Sequence, residues 1–272
     1  MMFNETFNAL VKEGQFTKEI LGAGATQIRN ANYARKGVYF QSLTSLSTGL
    51  ERIGKLCLML DYYIDNDSTF PDFKYLKNDI GHKINVLYEK SIEVKKKRNI
   101  SLRFLDNLDS EIHQNILNVI SDFAIGDRYS NINILVNSKQ QSDPVANWYT
   151  NVDKLLYELR VKDRKKQQIA HNARLISQMT GHFTMVRHTS EAGDMITDVE
   201  DASARTGIQE AVAPYRQLYV IHIIRFWVEL LGKLQYEAMS VNNENIPFFS
   251  EIFGGFYNAD SYIRTRKIWD TI

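Results

Sequence analysis

The most constraining feature of this 272-residue chain is one apolar stripe that begins at Leu43 and ends at Ile64. Its apolar positions are separated alternately by three and four residues, which places them on one face of an α-helix. Glu51 and Lys55 lie one turn apart off this stripe, where their side chains can pair. Further apolar neighbours widen the buried face, which favours the inner face of a helical bundle over a helix–helix dimer seam. The stripe consists of Leu43, Leu46, Leu50, Ile53, Cys57, Leu60 and Ile64.

A low content of helix breakers extends this interpretation to the whole chain, which holds four prolines and fourteen glycines. Asp143 directly before Pro144 predicts a helix start. Ser110 and Gly126 predict the two ends of another helix. The sequence therefore predicts an all-α helical bundle of seven to nine helices, in one domain over residues 1–272.

Three further expectations concern the boundaries of helices. The helix with the apolar stripe is expected to begin near Ala25. Residues 188–204 contain several acidic residues and no lysine or arginine, which predicts a mobile, solvated loop. Pro214 is then expected to start an apolar helix, and the aromatic segment 246–257 to fold back onto the bundle.

Composition narrows the classes of function. The net charge is +1, so any binding of nucleic acid requires a local basic surface. Cys57 is the single cysteine, which excludes an internal disulfide and a thiol–metal cluster. The first residues lack the pattern of a secretory signal, and no apolar run approaches the ~20 residues that span a bilayer. A cytoplasmic protein without a cofactor, a metal or a membrane anchor is expected.

Three short segments carry the pattern of a known helical family. The segments are Gly49–Leu60 with Glu51 and Lys55, Gly81–Glu89 with Gly81-His82, and Gly126–Leu135 with Arg128-Tyr129. In this order and spacing the chain resembles a HEPN domain, a helical module common in prokaryotic defence and toxin systems. The resemblance implies a HEPN-like core at about residues 25–136 and a C-terminal helical extension at about 142–272.

The resemblance also implies a chemistry. Active HEPN proteins cleave RNA without a metal, using an arginine to stabilise the phosphorane charge and a histidine to transfer a proton. These two residues stand on one helix with four to six residues between them. No histidine follows Arg128 at that spacing, so either the motif lies on a later helix or the chain is an inactive member. The family also implies a homodimer, and an antitoxin or a defence-system protein as partner.

Two later arginine–histidine pairs fit the spacing. Arg164 and His171 return to about the same helix face, since each residue advances by ~100°. Arg216 and His222 diverge by roughly 120° on a helix, and apolar neighbours predict that His222 is buried and hydrogen-bonded. Arg164 with His171 is therefore the preferred catalytic pair, and Arg216 with His222 is the alternative.

The preferred pair lies in a locally basic segment. Between residues 160 and 174 six basic residues accompany one acid, Asp163, which favours phosphate binding. The same composition is also typical of a solvated helix face that binds no ligand, so this alternative stays open. The candidate RNA-binding residues are Arg160, Lys162, Lys165, Lys166 and Arg174.

The remaining histidines carry less functional signal. His113 is expected to be exposed near the start of its helix. His188 with Glu191 and Asp194 offers ligand types that suit a divalent metal, but their spacing matches no strong pattern, so no metal site is predicted. Two functions stay open. One is a metal-independent endoribonuclease of a toxin or phage-defence system, and the other is a catalytically inactive helical module that binds RNA or a protein partner.

Overall fold

The computed structural model describes residues 4–139 and 142–271 and is 73% helical, so the prediction of an all-α fold is confirmed. The α-helical segments are α1 Glu5–Asn30, α2 Gly37–Asp65, α3 Phe73–Tyr75, α4 Ile84–Lys97, α5 Glu111–Ile125, α6 Ser130–Leu135, α7 Pro144–Trp148, α8 Lys154–Arg160, α9 Asp163–Thr180, α10 Val199–Val241, α11 Phe249–Ile252 and α12 Asp260–Thr265. Two short antiparallel strands, β1 His188–Thr189 and β2 Met195–Ile196, form a hairpin between α9 and α10.

The number of helices exceeds the predicted seven to nine. The described residues contain twelve α-helical segments, several of which span only one or two turns. Segments this short contain too few positions to leave a periodic apolar pattern in the sequence. A π-helical turn, Tyr149–Asp153, joins α7 to α8, so these two segments continue one another.

The apolar stripe forms the inner face of α2, as predicted. Its positions from Leu43 to Leu60 are all buried, and Ile64 is half-buried. Glu51 and Lys55 form the predicted pair, with Lys55 Nζ 2.7 Å from Glu51 Oε1. The residues that the sequence assigned to the core of α5 are buried as well, and they are Ile112, Ile116, Val119, Ile120 and Phe123.

The start of α2 differs from the prediction, because the helix begins at Gly37 and not near Ala25. The preceding residues belong to α1, which ends at Asn30. The side chain of Asn32 accepts a hydrogen bond from the backbone N–H of Ala34 and so stabilises a turn. Asparagine side chains compete in this way with the backbone hydrogen bonds of a helix, which explains the break.

Glycines allow α1 and α2 to pack closely. A Cβ atom at Gly24 would lie 2.7 Å from the Leu46 side chain. One at Gly49 would lie 2.6 Å from the Leu21 side chain. Both distances are shorter than atoms tolerate, so larger residues at these positions would push the two helices apart.

The start of α10 also differs from the prediction. The helix begins at Val199 and contains Pro214 in its interior. The loop predicted over 188–204 is therefore wrong for residues 199–204, which are helical, whereas residues 188–198 form a short hairpin with its connections. The Asp198 side chain accepts hydrogen bonds from two backbone N–H groups of the first turn. The acidic residues that follow favour the positive end of the helix dipole. The last part of the acidic run, Asp198 to Asp201, is therefore the capped start of α10 and not a loop.

The second half of α10 is the centre of the molecule. Every residue from Arg216 to Leu231 is buried, beneath α1, α2, α4, α5, α8, α11 and α12. Several of these residues are polar, and a buried polar group is costly unless it is hydrogen-bonded. No helix of the described chain is both long enough and apolar enough to cross a bilayer.

The aromatic tail folds back onto the bundle, as predicted. Phe249, Phe253 and Phe256 are buried. Trp269 stacks on Phe256 with the ring centroids 5.9 Å apart. One hydrophobic cluster extends from Leu10 to Trp269 and so includes both ends of the described chain.

Candidate nucleic-acid interface

The preferred catalytic pair lies on α9. Arg164 and His171 are both exposed, and the helix is continuous between them, which supports their placement on one face. Neither side chain has a hydrogen bond or an ion pair with any residue that the structure describes. The pair is available to a ligand, but among these residues no carboxylate orients His171, as one often does for a catalytic base.

Two of the predicted RNA-binding residues have local acidic partners. Arg174 Nε lies 3.6 Å from Glu200 Oε1 at the start of α10. Lys166 Nζ lies 3.9 Å from Asp163 Oδ1 one turn earlier. Both pairs are at the surface, where such ion pairs contribute little to stability, but they neutralise part of the positive charge of α9.

The other predicted RNA-binding residues converge on one surface. A cleft of about 510 Å³ opens between the start of α9, the middle of α10 and α12. Arg160, Lys162 and Lys165 line it together with Arg264 of α12, and Glu210 is the one carboxylate residue in its lining. We call this surface the basic cleft. Hydroxyl groups in the lining come from Tyr215, Ser261 and Thr265.

The basic cleft has the composition of a phosphate-binding surface. Lysine and arginine neutralise backbone phosphates, and hydroxyl groups add hydrogen bonds that fix the position of the chain. Sequence reasoning missed Arg264, because the tail meets α9 only in the folded protein. The run Arg264-Thr-Arg-Lys267 was the available signal, since it is the second basic cluster of the C-terminal half.

The alternative arginine is held in the interior. Arg216 Nε lies 2.6 Å from Asp153 Oδ1, and its two Nη atoms donate to the Ala31 carbonyl at 2.7 Å and to Tyr39 Oη at 3.0 Å. Trp148 Nε1 donates to the same carboxylate at 3.0 Å. Burial lowers the pKa of Arg216, but the Asp153 carboxylate outweighs this effect and raises it. Arg216 is therefore one half of a buried ion pair.

The alternative histidine belongs to a separate chain of hydrogen bonds. His222 Nε2 lies 3.0 Å from Asp260 Oδ1, and His222 Nδ1 lies 3.2 Å from His113 Nε2. His113 Nδ1 lies 2.6 Å from Ser110 Oγ. Because a carboxylate only accepts, we assign one proton to Nε2 of each ring, and the Ser110 hydroxyl donates to His113. No hydrogen bond in the described chain links His222 to Arg216, so the structure does not bring this pair together.

Both histidines of this hydrogen-bond chain, His113 and His222, are neutral at pH 7. Burial, together with the charges of His222 and Arg160, lowers the pKa of His113 to about 3. Burial lowers the pKa of His222 to about 4, although Asp260 acts in the opposite direction. The prediction that His222 is buried and hydrogen-bonded is confirmed. The prediction that His113 is exposed is wrong, because α10 covers it.

Arg160 connects the basic cleft with the histidine chain. Its Nε donates to Tyr219 Oη at 2.7 Å. The Tyr219 ring lies 5.0 Å from the His113 ring and 5.3 Å from the His222 ring, centroid to centroid. The packed rings hold Tyr219, and Tyr219 in turn holds the Arg160 guanidinium in the wall of the cleft.

The residues of the three HEPN-like segments lie on separate elements. Glu51 and Lys55 pair on α2, and His82 is exposed before α4. Arg128 donates to the backbone carbonyl of Ala124 at the end of α5. Among the residues that the structure describes, no hydrogen bond joins one of these segments to another through these side chains.

The acidic residues near β1 do not form a metal site. Glu191 is buried, and its Oε1 accepts from Gln209 Nε2 at 2.6 Å. The Asp194 carboxylate lies 3.2 Å from Ser190 Oγ. No group of three or more histidine, cysteine, aspartate or glutamate side chains within 4–139 and 142–271 is arranged to hold a metal ion.

Comparison with known proteins identifies no relative. No family model, no curated protein and no solved structure matches this chain. The HEPN resemblance therefore depends on the three sequence segments alone.

Proposed function

We propose that this protein binds single-stranded RNA in the basic cleft and acts as a HEPN-like module of a toxin or phage-defence system. The observation that carries the proposal is the convergence of Arg160, Lys162, Lys165 and Arg264 on one open cleft that contains a single carboxylate residue. Grooves that bind single strands combine positive charge with an aromatic ring on which a base can stack. Tyr215 supplies a ring in this lining.

Binding without cleavage is the function that the side-chain environments favour. Arg164 and His171 are absent from the lining of the basic cleft. His222 is neutral and buried behind other side chains. A general base must reach the proton that it removes, and the lining of the cleft contains no histidine of the described chain.

An RNA-binding assay tests the proposal. We expect labelled single-stranded RNA to bind wild-type protein at low salt, and the Lys162→Ala/Lys165→Ala variant to bind roughly tenfold more weakly, because two phosphate contacts are lost. The matched control is Lys74→Ala/Lys77→Ala, which removes the same charge from exposed positions away from the cleft. The control should bind like wild type. Equal weakening in both variants, or no binding by wild type, would refute the proposal.

A second candidate function is metal-independent cleavage of RNA. The observation that favours it is the exposure of Arg164 and His171 in phase on one helix, next to cleft residues. If it is correct, wild type cleaves a mixed RNA pool in the presence of EDTA, and Arg164→Ala and His171→Ala each abolish cleavage while the helical fold persists. Cleavage that survives in His171→Ala but is lost in His222→Ala would assign the reaction to the alternative pair.

The HEPN resemblance further supports a homodimer, and an antitoxin or defence-system protein as partner. Two-fold pairing is the commonest form of self-association. Light scattering at micromolar protein concentration tests the homodimer. A mass of twice the 31.5 kDa chain is expected, and a mass of one chain would contradict it.

A further inference from the structure

A second cleft lies apart from the basic cleft, between the later part of α10, the segment 98–110 and the aromatic tail. Its volume is about 420 Å³, which is within the range of small-molecule sites. Tyr236 and Tyr257 line it, and Gly232 and Gly254 leave space that side chains would fill. We call this surface the tyrosine cleft. Three charged side chains also line it, and they are Arg103, Glu229 and Lys233.

Glu229 contributes a buried carboxylate to the tyrosine cleft. Its Oε2 accepts a hydrogen bond from the backbone N–H of Arg103 at 2.6 Å. A carboxylate offers about four acceptor positions. This backbone donor restrains the orientation of the carboxylate and leaves acceptor positions for N–H groups of a ligand.

Two cations line the tyrosine cleft without a close ion pair. Arg103 and Lys233 have no carboxylate within ion-pair distance in the described chain, although the charge of Lys233 acts on the Glu229 carboxylate one turn away. The Arg103 guanidinium lies 5.3 Å from the Phe104 ring centroid and 5.8 Å from that of Tyr257, which restrains it beside the aromatic wall. Two cations, one of them held beside aromatic rings, suit a ligand that is both planar and anionic.

We propose that the tyrosine cleft binds a free guanine nucleotide. The base stacks on the tyrosine wall, its N–H groups donate to Glu229, and its phosphate meets Arg103 and Lys233. Guanine presents adjacent N–H donors on its Watson–Crick edge, which an acceptor-only carboxylate can bind together. Adenine places an acceptor nitrogen on that edge, and a carboxylate repels it. This site shares no lining residue with the basic cleft.

Calorimetric titration of the full chain with GMP, AMP and inorganic phosphate tests the proposal. We expect GMP to bind at least ~10-fold more tightly than AMP, since a mismatched polar edge costs roughly that factor or more, and phosphate alone to bind more weakly than either. Absence of GMP binding at millimolar concentration, or equal binding of GMP and AMP, would overturn the proposal.

Two variants assign the contacts. Glu229→Gln should remove the preference for GMP over AMP, because an amide both donates and accepts, and far-ultraviolet circular dichroism should verify its fold. Lys233→Ala, at an exposed position, should weaken GMP and AMP by the same factor while the preference stays. Retention of the GMP preference in a folded Glu229→Gln would contradict the role of the carboxylate. These titrations are independent of RNA binding, so either proposal can fail alone.

Discussion

The helices α9 and α10 each carry one arginine–histidine pair at a spacing typical of HEPN nucleases, in opposite surroundings. Arg216 and His222 of α10 are buried, and their hydrogen-bond partners are other residues of the protein. Arg164 and His171 of α9 are exposed and without a partner in the described chain. The comparison indicates that spacing alone does not define a site. The buried pair stabilises the fold, whereas the exposed pair has its charge free for a ligand.

The largest expected loss of stability comes from breaking the buried ion pair. Arg216→Ala should destabilise the protein by roughly 3–5 kcal/mol, because it leaves the Asp153 carboxylate buried without its countercharge. Urea unfolding followed by circular dichroism measures this change. Arg164→Ala on α9 is the matched control and should lie within about 0.5 kcal/mol of wild type. Similar stabilities for the two variants would remove the contrast between the helices.

A smaller loss of stability is expected at acidic pH. The folded state keeps His222 neutral with a pKa of about 4, against 6.5 as the ordinary value. Between these values the unfolded chain binds a proton that the folded chain does not, so stability is complete above pH 6.5 and falls as the pH decreases. His222 alone should contribute about 2 kcal/mol of loss between pH 6.5 and pH 5, and His113 acts in the same direction.

Urea midpoints at pH 7 and pH 5 measure this loss. The variant His171→Gln should show the same pH dependence as wild type, because His171 is exposed and has no partner among the described residues. A midpoint that does not change between the two pH values would show that the histidine chain binds protons normally in the folded state.

The smallest expected effect is on the stability of α9 variants. His171→Ala removes an exposed side chain without a described partner and should change the free energy of unfolding by less than about 0.5 kcal/mol. Thermal unfolding measures it, with His222→Ala as the contrasting variant. A large loss of stability in His171→Ala would mean that the exposed face of α9 stabilises the fold as the buried residues of α10 do.

The sequence predicted those parts of the fold that depend on local periodicity. The α2 stripe, the inner face of α5 and the burial of His222 each follow from neighbours within a few turns. The partners of the buried polar groups could not be predicted in the same way. Asp153 meets Arg216 only after the π-helical turn before α8 has packed against α10.

The same reason explains the errors at the candidate site. The position of His113 near the start of its helix predicted exposure, and its partner His222, 109 positions away, leaves no local signal. The acidic run before α10 indicated a loop, since a helix cap and a polar loop have similar compositions. Three of the basic-cleft residues were predicted from local charge, whereas Arg264 enters through the folded tail.

The most direct test of the account is the salt dependence of RNA binding by wild type and Lys165→Ala. Each phosphate contact on a single strand contributes about 0.7 to the slope of log Kobs against log salt concentration. If the basic cleft holds the RNA backbone, the slope for Lys165→Ala should be smaller in magnitude by about 0.7. Parallel lines for the two proteins would contradict the claim that the exposed start of α9 is the functional surface.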